Sequence, residues 1–206
     1  VSAVGIVDVG IGNLGSLKSA IHELGFETLL VNDKSNLANC DSLILPGVGS
    51  FGHGVGALRE ASLDKAICEF AALGKPVLGI CLGMQLLFAA GEEGGVSRGL
   101  SLIPGSVKRF PESIDLQIPH VGWNEVRLTK PHPLWTGIKT DVDFYFVHSY
   151  RVECDPAYAN GLTNYGADFP SFVARENVVG VQFHPEKSQR NGLRLLENFC
   201  LWNGRC

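Results

Sequence analysis

One cysteine stands apart in the run "KPVLGICLGMQLLF": Cys81 sits inside an apolar stretch, with Gly79 two residues before it and Gly83 two after. The spacing matches the G-x-S-x-G nucleophile elbow, with a thiol in place of the hydroxyl. In such an elbow a strand turns into a helix within about one residue, and flanking glycines leave room for the turn. The side chain is lifted clear of the sheet at the carboxyl ends of its strands, where α/β sites lie. The N-terminus of the following helix favours a thiolate and offers free N–H groups to an oxyanion. The alternative is a buried structural cysteine between two packing glycines.

A nucleophilic thiol needs a base held in one tautomer. "VVGVQFHPEKS" offers His184 and Glu186, two residues apart at the end of a strand. In extended chain both side chains face the same way, and Pro185 stiffens that geometry. The same pair also reads as an ordinary surface His and Glu. The other histidines are less well placed: His53 in a Gly loop, His120 and His148 closing strands, His22 and His132 as solvated surface. "PGVGSFGHG" is nearly free of side chains over Gly47 to Gly49. Its backbone N–H groups, with that of Leu82, could form an oxyanion hole; a tight turn before a helix would use the same residues. "DVGIGN" carries neither G-x-G-x-x-G nor a P-loop lysine, so it reads as a structural turn.

These residues need a frame. "SAVGIVDVG" reads as a buried strand, followed by a helix with Leu14, Leu17, Ile21 and Leu24 on one face and Gly25 at its end. "ETLLV" and "DSLILPGVG" are further strands, the latter stopping at Pro46. Helical spacing runs from Val55 to Leu73, with Leu63, Ile67 and Phe70 aligned. "PVLGI" is a strand and "LGMQLLFAA" a helix. This alternation predicts an α/β fold, an open and mostly parallel sheet with helices on both faces. The second half changes character: "SVKRF", "NEVRL", "DFYFVHSYRV", "SFVAR" and "VVGVQF" read as strands that extend the sheet antiparallel. "SQRNGLRLLENFCLW" closes the chain as a helix. With no repeat or linker, residues 1–206 read as one domain.

Composition narrows the function classes. A net charge of −4 leaves no basic face for nucleic acid, and no apolar run is long enough to cross a membrane. "VSAVGIVDVG" lacks the basic start and cleavage site of a signal peptide. The start without methionine is expected from removal of the initiator. The six cysteines (Cys40, Cys68, Cys81, Cys154, Cys200, Cys206) are scattered with no C-x-x-C pair, so reduced thiols in a cytoplasmic protein are expected.

Together these segments resemble the class I glutamine amidotransferases: "PVLGICLGMQLL" their nucleophile segment, "GVQFHPEKS" their His-Pro-Glu segment, "LPGVGSFG" their oxyanion loop. With "DVGIGNLGSLKSA", "PHVGWNEV" and "YFVHSY" added, the chain is most similar to the glutaminase subunits of imidazole glycerol phosphate synthases, from Gly5 to Phe199. One departure is Val9, where those subunits often carry an aromatic residue after Asp8. The resemblance implies a flavodoxin-like amidotransferase fold and a Cys-His-Glu triad. Cys81 would attack the side-chain amide of glutamine, His184 shuttle the proton and Glu186 orient His184. Val48, Gly49 and Leu82 would donate backbone N–H groups to the oxyanion, and Gln85 with His148, Ser149 and Tyr150 would hold the amino-acid end. No cofactor and no metal are implied.

The resemblance also implies a partner, a cyclase of (β/α)8-barrel fold that receives the ammonia and makes imidazole glycerol phosphate and AICAR in histidine biosynthesis. In "QIPHVGWN", Pro119, His120, Val121 and Trp123 are expected at that interface, with Trp123 as the anchor; a core tryptophan is the other reading. Glycines around Val48 would let its loop adjust on docking, so the isolated chain is expected to be a poor glutaminase. Two alternatives stay open: an amidotransferase feeding another acceptor, such as a surface-sugar amination system, and a stand-alone cysteine γ-glutamyl hydrolase.

Overall fold

Parallel pairing of two strands a hundred residues apart in sequence builds the centre of this fold. In the computed structural model, which describes residues 3–12 and 14–205, β4 (Val77–Cys81) pairs with β13 (Val178–Val181), Gly79 opposite Gly180 and Ile80 opposite Val181. Continuing that register sets Gln182 beside Cys81. Val1, Ser2, Asn13 and Cys206 lie outside the described residues.

Around this pair lies a nine-stranded sheet, order β2-β1-β3-β4-β13-β12-β11-β8-β9. β1 (Val4–Val7), β2 (Thr28–Val31) and β3 (Ser42–Gly47) are parallel to β4. β12 (Asp168–Arg175), β11 (Ala159–Asn164), β8 (His120–Leu128) and β9 (Val142–His148) continue it antiparallel, as expected of "SFVAR" and "NEVRL". β11 has no counterpart among the expected strands, "VVGVQF" instead joins parallel to β4, and "SVKRF" lies in a second sheet. β3 does not stop at Pro46. It pairs through Gly47, opposite Cys81.

Side chains alternate between two apolar layers. On one face Ile6, Ile44, Ile80 and Val181 meet Leu17 and Ile21 of α1 (Leu14–Glu23) and Leu195, Leu196 and Phe199 of α6 (Gln189–Leu201). On the other, Leu43, Leu45 and Val77 meet Phe51, Val55 and Leu58 of α3 (Phe51–Glu60) and Leu63, Ile67 and Phe70 of α4 (Leu63–Ala72). The helical pattern assigned to Val55–Leu73 is thus two helices, broken where Ser62 takes a left-handed φ of 56°. His53 lies in α3 rather than in a loop. A further single-turn helix, α2 (Lys34–Leu37), is capped by the Asp33 carboxylate.

The largest departure follows Cys81. The predicted helix "LGMQLLFAA" lasts only for α5 (Leu82–Leu86). The chain then becomes β5 (Phe88–Gly91), which with β6 (Ser97–Arg98), β7 (Ile103–Arg109) and β10 (Tyr150–Glu153) forms a separate four-stranded sheet. "DFYFVHSYRV" is therefore two strands in two sheets, with Ser149 alone between them.

Candidate active site

The turn at Cys81 is strained as an elbow requires: φ is 54° and ψ is −111°, values a residue with a Cβ holds only under surrounding constraint. The constraint is a glycine seat. A Cβ at Gly79 would stand 2.6 Å from the backbone nitrogen of Met84, one at Gly180 2.7 Å from the Met84 side chain, and one at Gly83 would collide with the Leu45 carbonyl. α5 therefore lies almost against β3, β4 and β13. The thiol is only 6% exposed, 3.8 Å from the Val147 carbonyl oxygen and 3.8 Å from Gln182 Nε2, which donates to it.

His184 and Glu186 meet, by a different local geometry from the extended chain the spacing suggests. Pro185–Lys187 is a 3-10 turn with His184 at its N-cap. His184 Nδ1 donates to Glu186 Oε1 at 2.9 Å, both side chains nearly inaccessible. Ser188 locks the turn: its hydroxyl donates to the His184 carbonyl (2.6 Å) and accepts from the Tyr145 N–H (2.9 Å), while the His184 N–H donates to the Tyr145 carbonyl. Burial alone would lower the imidazole pKa, but interaction with Cys81 and then Glu186 outweighs it and raises the value to about 9. His184 Nε2 is buried and has no hydrogen-bond partner among the described residues, as is Glu186 Oε2. The free nitrogen is the one not engaged by the carboxylate.

A cleft of about 420 Å³ opens above the sulfur, lined by Val48, Gly49, Ser50, Cys81, Leu82, Gln85, Glu93, Pro119, Val147, His148, Ser149 and Tyr150. It brings the predicted nucleophile, oxyanion and glutamine-binding segments to one place. Gln85 is oriented by acceptors: its Nε2 donates to the Tyr150 carbonyl (3.1 Å) and to Gln182 Oε1 (3.0 Å), which turns its own Oε1 the other way. The His148 side chain is unavailable for the ligand-holding role assigned to it. It is buried, and both ring nitrogens are taken, Nδ1 by the Tyr150 carbonyl (2.8 Å) and Nε2 by His120 Nδ1 (2.9 Å).

The oxyanion loop departs from expectation at one atom. The Val48 N–H donates to the Ile11 carbonyl at 2.5 Å, so in this conformation it is not free for a substrate oxygen. The "DVGIGN" turn thus holds the loop beside the nucleophile. Leu82 opens α5, where an N–H has no partner inside the helix. Gly49 has a φ of 102°, accessible in practice only to glycine.

The strand expected to meet a partner divides by face. Val121 (56% exposed) and Trp123 (48%) stand outward on β8 beside Val147 and Tyr145 of β9, and Pro119 is exposed at the cleft edge. Trp123 is therefore not core. His120 is misassigned as an interface residue: it is 3% exposed, stacked on Tyr165 at 4.0 Å and Phe146 at 4.9 Å. Burial lowers its pKa to about 4 and that of His148 to about 3. His132 is not solvated either. It is buried edge-on to Phe172 and Trp202, its pKa also lowered to about 4. Gln182 and Ser188, which touch Cys81 and the His184 turn, lie in "GVQFHPEKS" but carry no signal there beyond that of ordinary polar residues.

With a thiol on an elbow, a paired His and Glu and a cleft over the nucleophile, the chain belongs to the class-I glutamine amidotransferases, whose family profile matches residues 5–202. Within that class it is similar to imidazole glycerol phosphate synthase subunit HisH of Symbiobacterium thermophilum, 50% identical over 195 residues, or 94% of this chain and 91% of that one. The HisH of Sulfurimonas denitrificans is 48% identical over 200 residues, covering 95% and 96%. Among solved structures, that of PurLQS from Thermotoga maritima superposes with a TM-score of 0.78 over 96% of this chain and 97% of that one, at 20% identity, a likeness of fold. No helix among the described residues is long and apolar enough to cross a membrane.

Proposed function

We propose that this chain is the glutaminase subunit of an imidazole glycerol phosphate synthase. It would hydrolyse glutamine to glutamate and ammonia in the cytoplasm and pass the ammonia to a cyclase partner of (β/α)8-barrel fold. The observation that carries the reading is the strained elbow at Cys81 in the cleft lining, interacting with an imidazole that is paired with Glu186.

His184 takes the thiol proton on Nε2, and Glu186 on Nδ1 stabilises the resulting imidazolium. The sulfur attacks the carboxamide carbon of glutamine, and the oxygen takes the charge near the N-terminus of α5, with the Leu82 N–H as donor. His184 returns the proton to the nitrogen, the C–N bond breaks and ammonia leaves a thioester. Water, deprotonated by His184, then attacks the thioester and releases glutamate and the thiol. Gln85 Oε1, turned away from its two inward acceptors, is the group suited to receive the substrate's α-ammonium. Ammonia released to bulk water would be protonated and diluted. The outward apolar residues Val48, Pro119, Val121, Trp123 and Val147 around and beside the cleft suit a partner that encloses it.

The test is glutamate release by the chain with its cyclase. Cys81→Ala and His184→Ala should abolish it while added ammonia still supports the cyclase. Glu186→Gln should leave residual turnover, because orientation rather than the base is lost. Glutamate release undiminished by Cys81→Ala would end this reading. Full turnover without a cyclase would favour the stand-alone hydrolase.

A further inference from the structure

Gln182 has no part in the steps above, yet its side chain donates to the sulfur that performs them. It is fully buried, and continuing the register of the central strand pair one residue past Val181 sets it beside the nucleophile. Which end of its amide faces the sulfur follows from a directed series of hydrogen bonds. The Tyr150 carbonyl can only accept, so Gln85 must turn its nitrogen toward it (3.1 Å). That same nitrogen reaches Gln182 at 3.0 Å, so the Gln182 atom there is the oxygen. The Gln182 nitrogen is then left to face Cys81 Sγ, at 3.8 Å.

The series extends in the other direction. The Tyr150 carbonyl also accepts from His148 Nδ1 (2.8 Å), which leaves His148 Nε2 as acceptor from His120 Nδ1 (2.9 Å). His120 Nε2 in turn accepts from Asn124 Nδ2 (3.2 Å). Every donor and acceptor from Asn124 to Cys81 is thereby assigned. Each bond runs one way, and a reversed amide at Gln85 would set its oxygen against the Tyr150 carbonyl.

We propose that Gln182 is a further catalytic residue of this site. Its Nε2–H stabilises negative charge on Cys81 Sγ, first when the thiol proton has passed to His184 and again when the sulfur leaves the thioester. This rests on Cys81 being the nucleophile. At 3.8 Å the contact is weak to a neutral thiol and strengthens as the sulfur acquires charge, so it favours the charged states over the resting one. Gln85, Tyr150, His148 and His120 act through Gln182 as positioning residues, because they fix its amide one way round.

The experiment is alkylation of Cys81 by iodoacetamide in the full chain, followed by mass spectrometry of the peptide that carries it. Neither cyclase nor glutamine is required, so the result reads Gln182 whether or not the chain proves to be a glutaminase. Gln182→Met keeps the bulk and removes the donor; it should slow alkylation about tenfold at neutral pH, as expected for losing one hydrogen bond to a charged group. Gln182→Glu keeps the shape, and its rate relative to wild type should fall as pH rises and the buried carboxyl ionises against the sulfur. Gln182→Met alkylating at the wild-type rate overturns the proposal. Gln182→Glu matching wild type at every pH overturns it too, and this variant decides alone if Gln182→Met does not fold. In the assembled complex, kcat should fall about tenfold with KM for glutamine changed by less than about twofold. A raised KM at unchanged kcat would make Gln182 a substrate-binding element and also overturn the proposal.

Discussion

The Val48 N–H is bonded to the Ile11 carbonyl at 2.5 Å. An oxyanion donor that must first leave another acceptor contributes nothing until it does. One such donor is worth roughly 10²–10³ in rate. Under the proposed function, the chain alone should therefore turn over glutamine at least about a hundredfold more slowly than with its cyclase. Steady-state glutamate release with and without the partner measures this, and equal rates would show that the loop needs no rearrangement.

His184 makes stability fall as pH rises. Its folded pKa of about 9 lies above the ordinary 6.5, because Cys81 and Glu186 outweigh burial. Between those values the folded imidazole holds a proton that the unfolded one has released; the share held by Glu186 is a net gain, whereas a proton taken from Cys81 leaves the total unchanged. The contribution is complete below pH 6.5 and lost as pH rises through about 9. In urea unfolding, the stability gap between wild type and His184→Ala should narrow from pH 6.5 to 9; a constant gap would refute the pairing.

Acid should act in the opposite sense. His120, His132 and His148 are buried neutral, their pKa values lowered by burial to about 4, 4 and 3. Unfolding near pH 5 therefore takes up close to three protons. Stability should fall by about 4 kcal/mol per pH unit there, before carboxylates add their share. A melting temperature that is flat between pH 7 and pH 5 would contradict this burial.

Trp123 is half exposed and touches Tyr145 edge-on at 6.1 Å. Its removal should leave the fold intact. Trp123→Ala is expected to weaken cyclase association by about 2 kcal/mol or more, as central aromatic anchors do, with the chain's own unfolding midpoint little changed. Titration calorimetry separates the two, and undiminished binding would exclude Trp123 as an anchor.

The sequence carried the local half of this site. Gly79 and Gly83 announced the elbow because close approach of backbones demands residues without side chains, and the short His-Pro-Glu spacing brought its pair together even though a 3-10 turn replaced the extended chain. Where distant segments decide, reading failed. His120, His132 and His148 look like surface or strand-end residues until rings distant in sequence close over them: Phe146 and Tyr165 over His120, Phe172 and Trp202 over His132, Phe110 and Phe169 over His148. The apolar run after Cys81 satisfies helix and strand alike. Pairing of Phe88–Gly91 with β6 and β7 makes it a strand. Gln182 looked like one polar residue in a strand, because its importance depends on the register with β4.

A single residue, Ser149, carries the chain from one sheet to the other, and the Tyr150 carbonyl just beyond it is gripped by Gln85 of α5 and by His148 at the end of β9 in the larger sheet. The cleft therefore straddles a seam between the two sheets, and beside the nucleophile that one oxygen atom rivets its halves. Loosening that rivet would be felt first as slack in the choice of amide accepted, well before the molecule itself came apart.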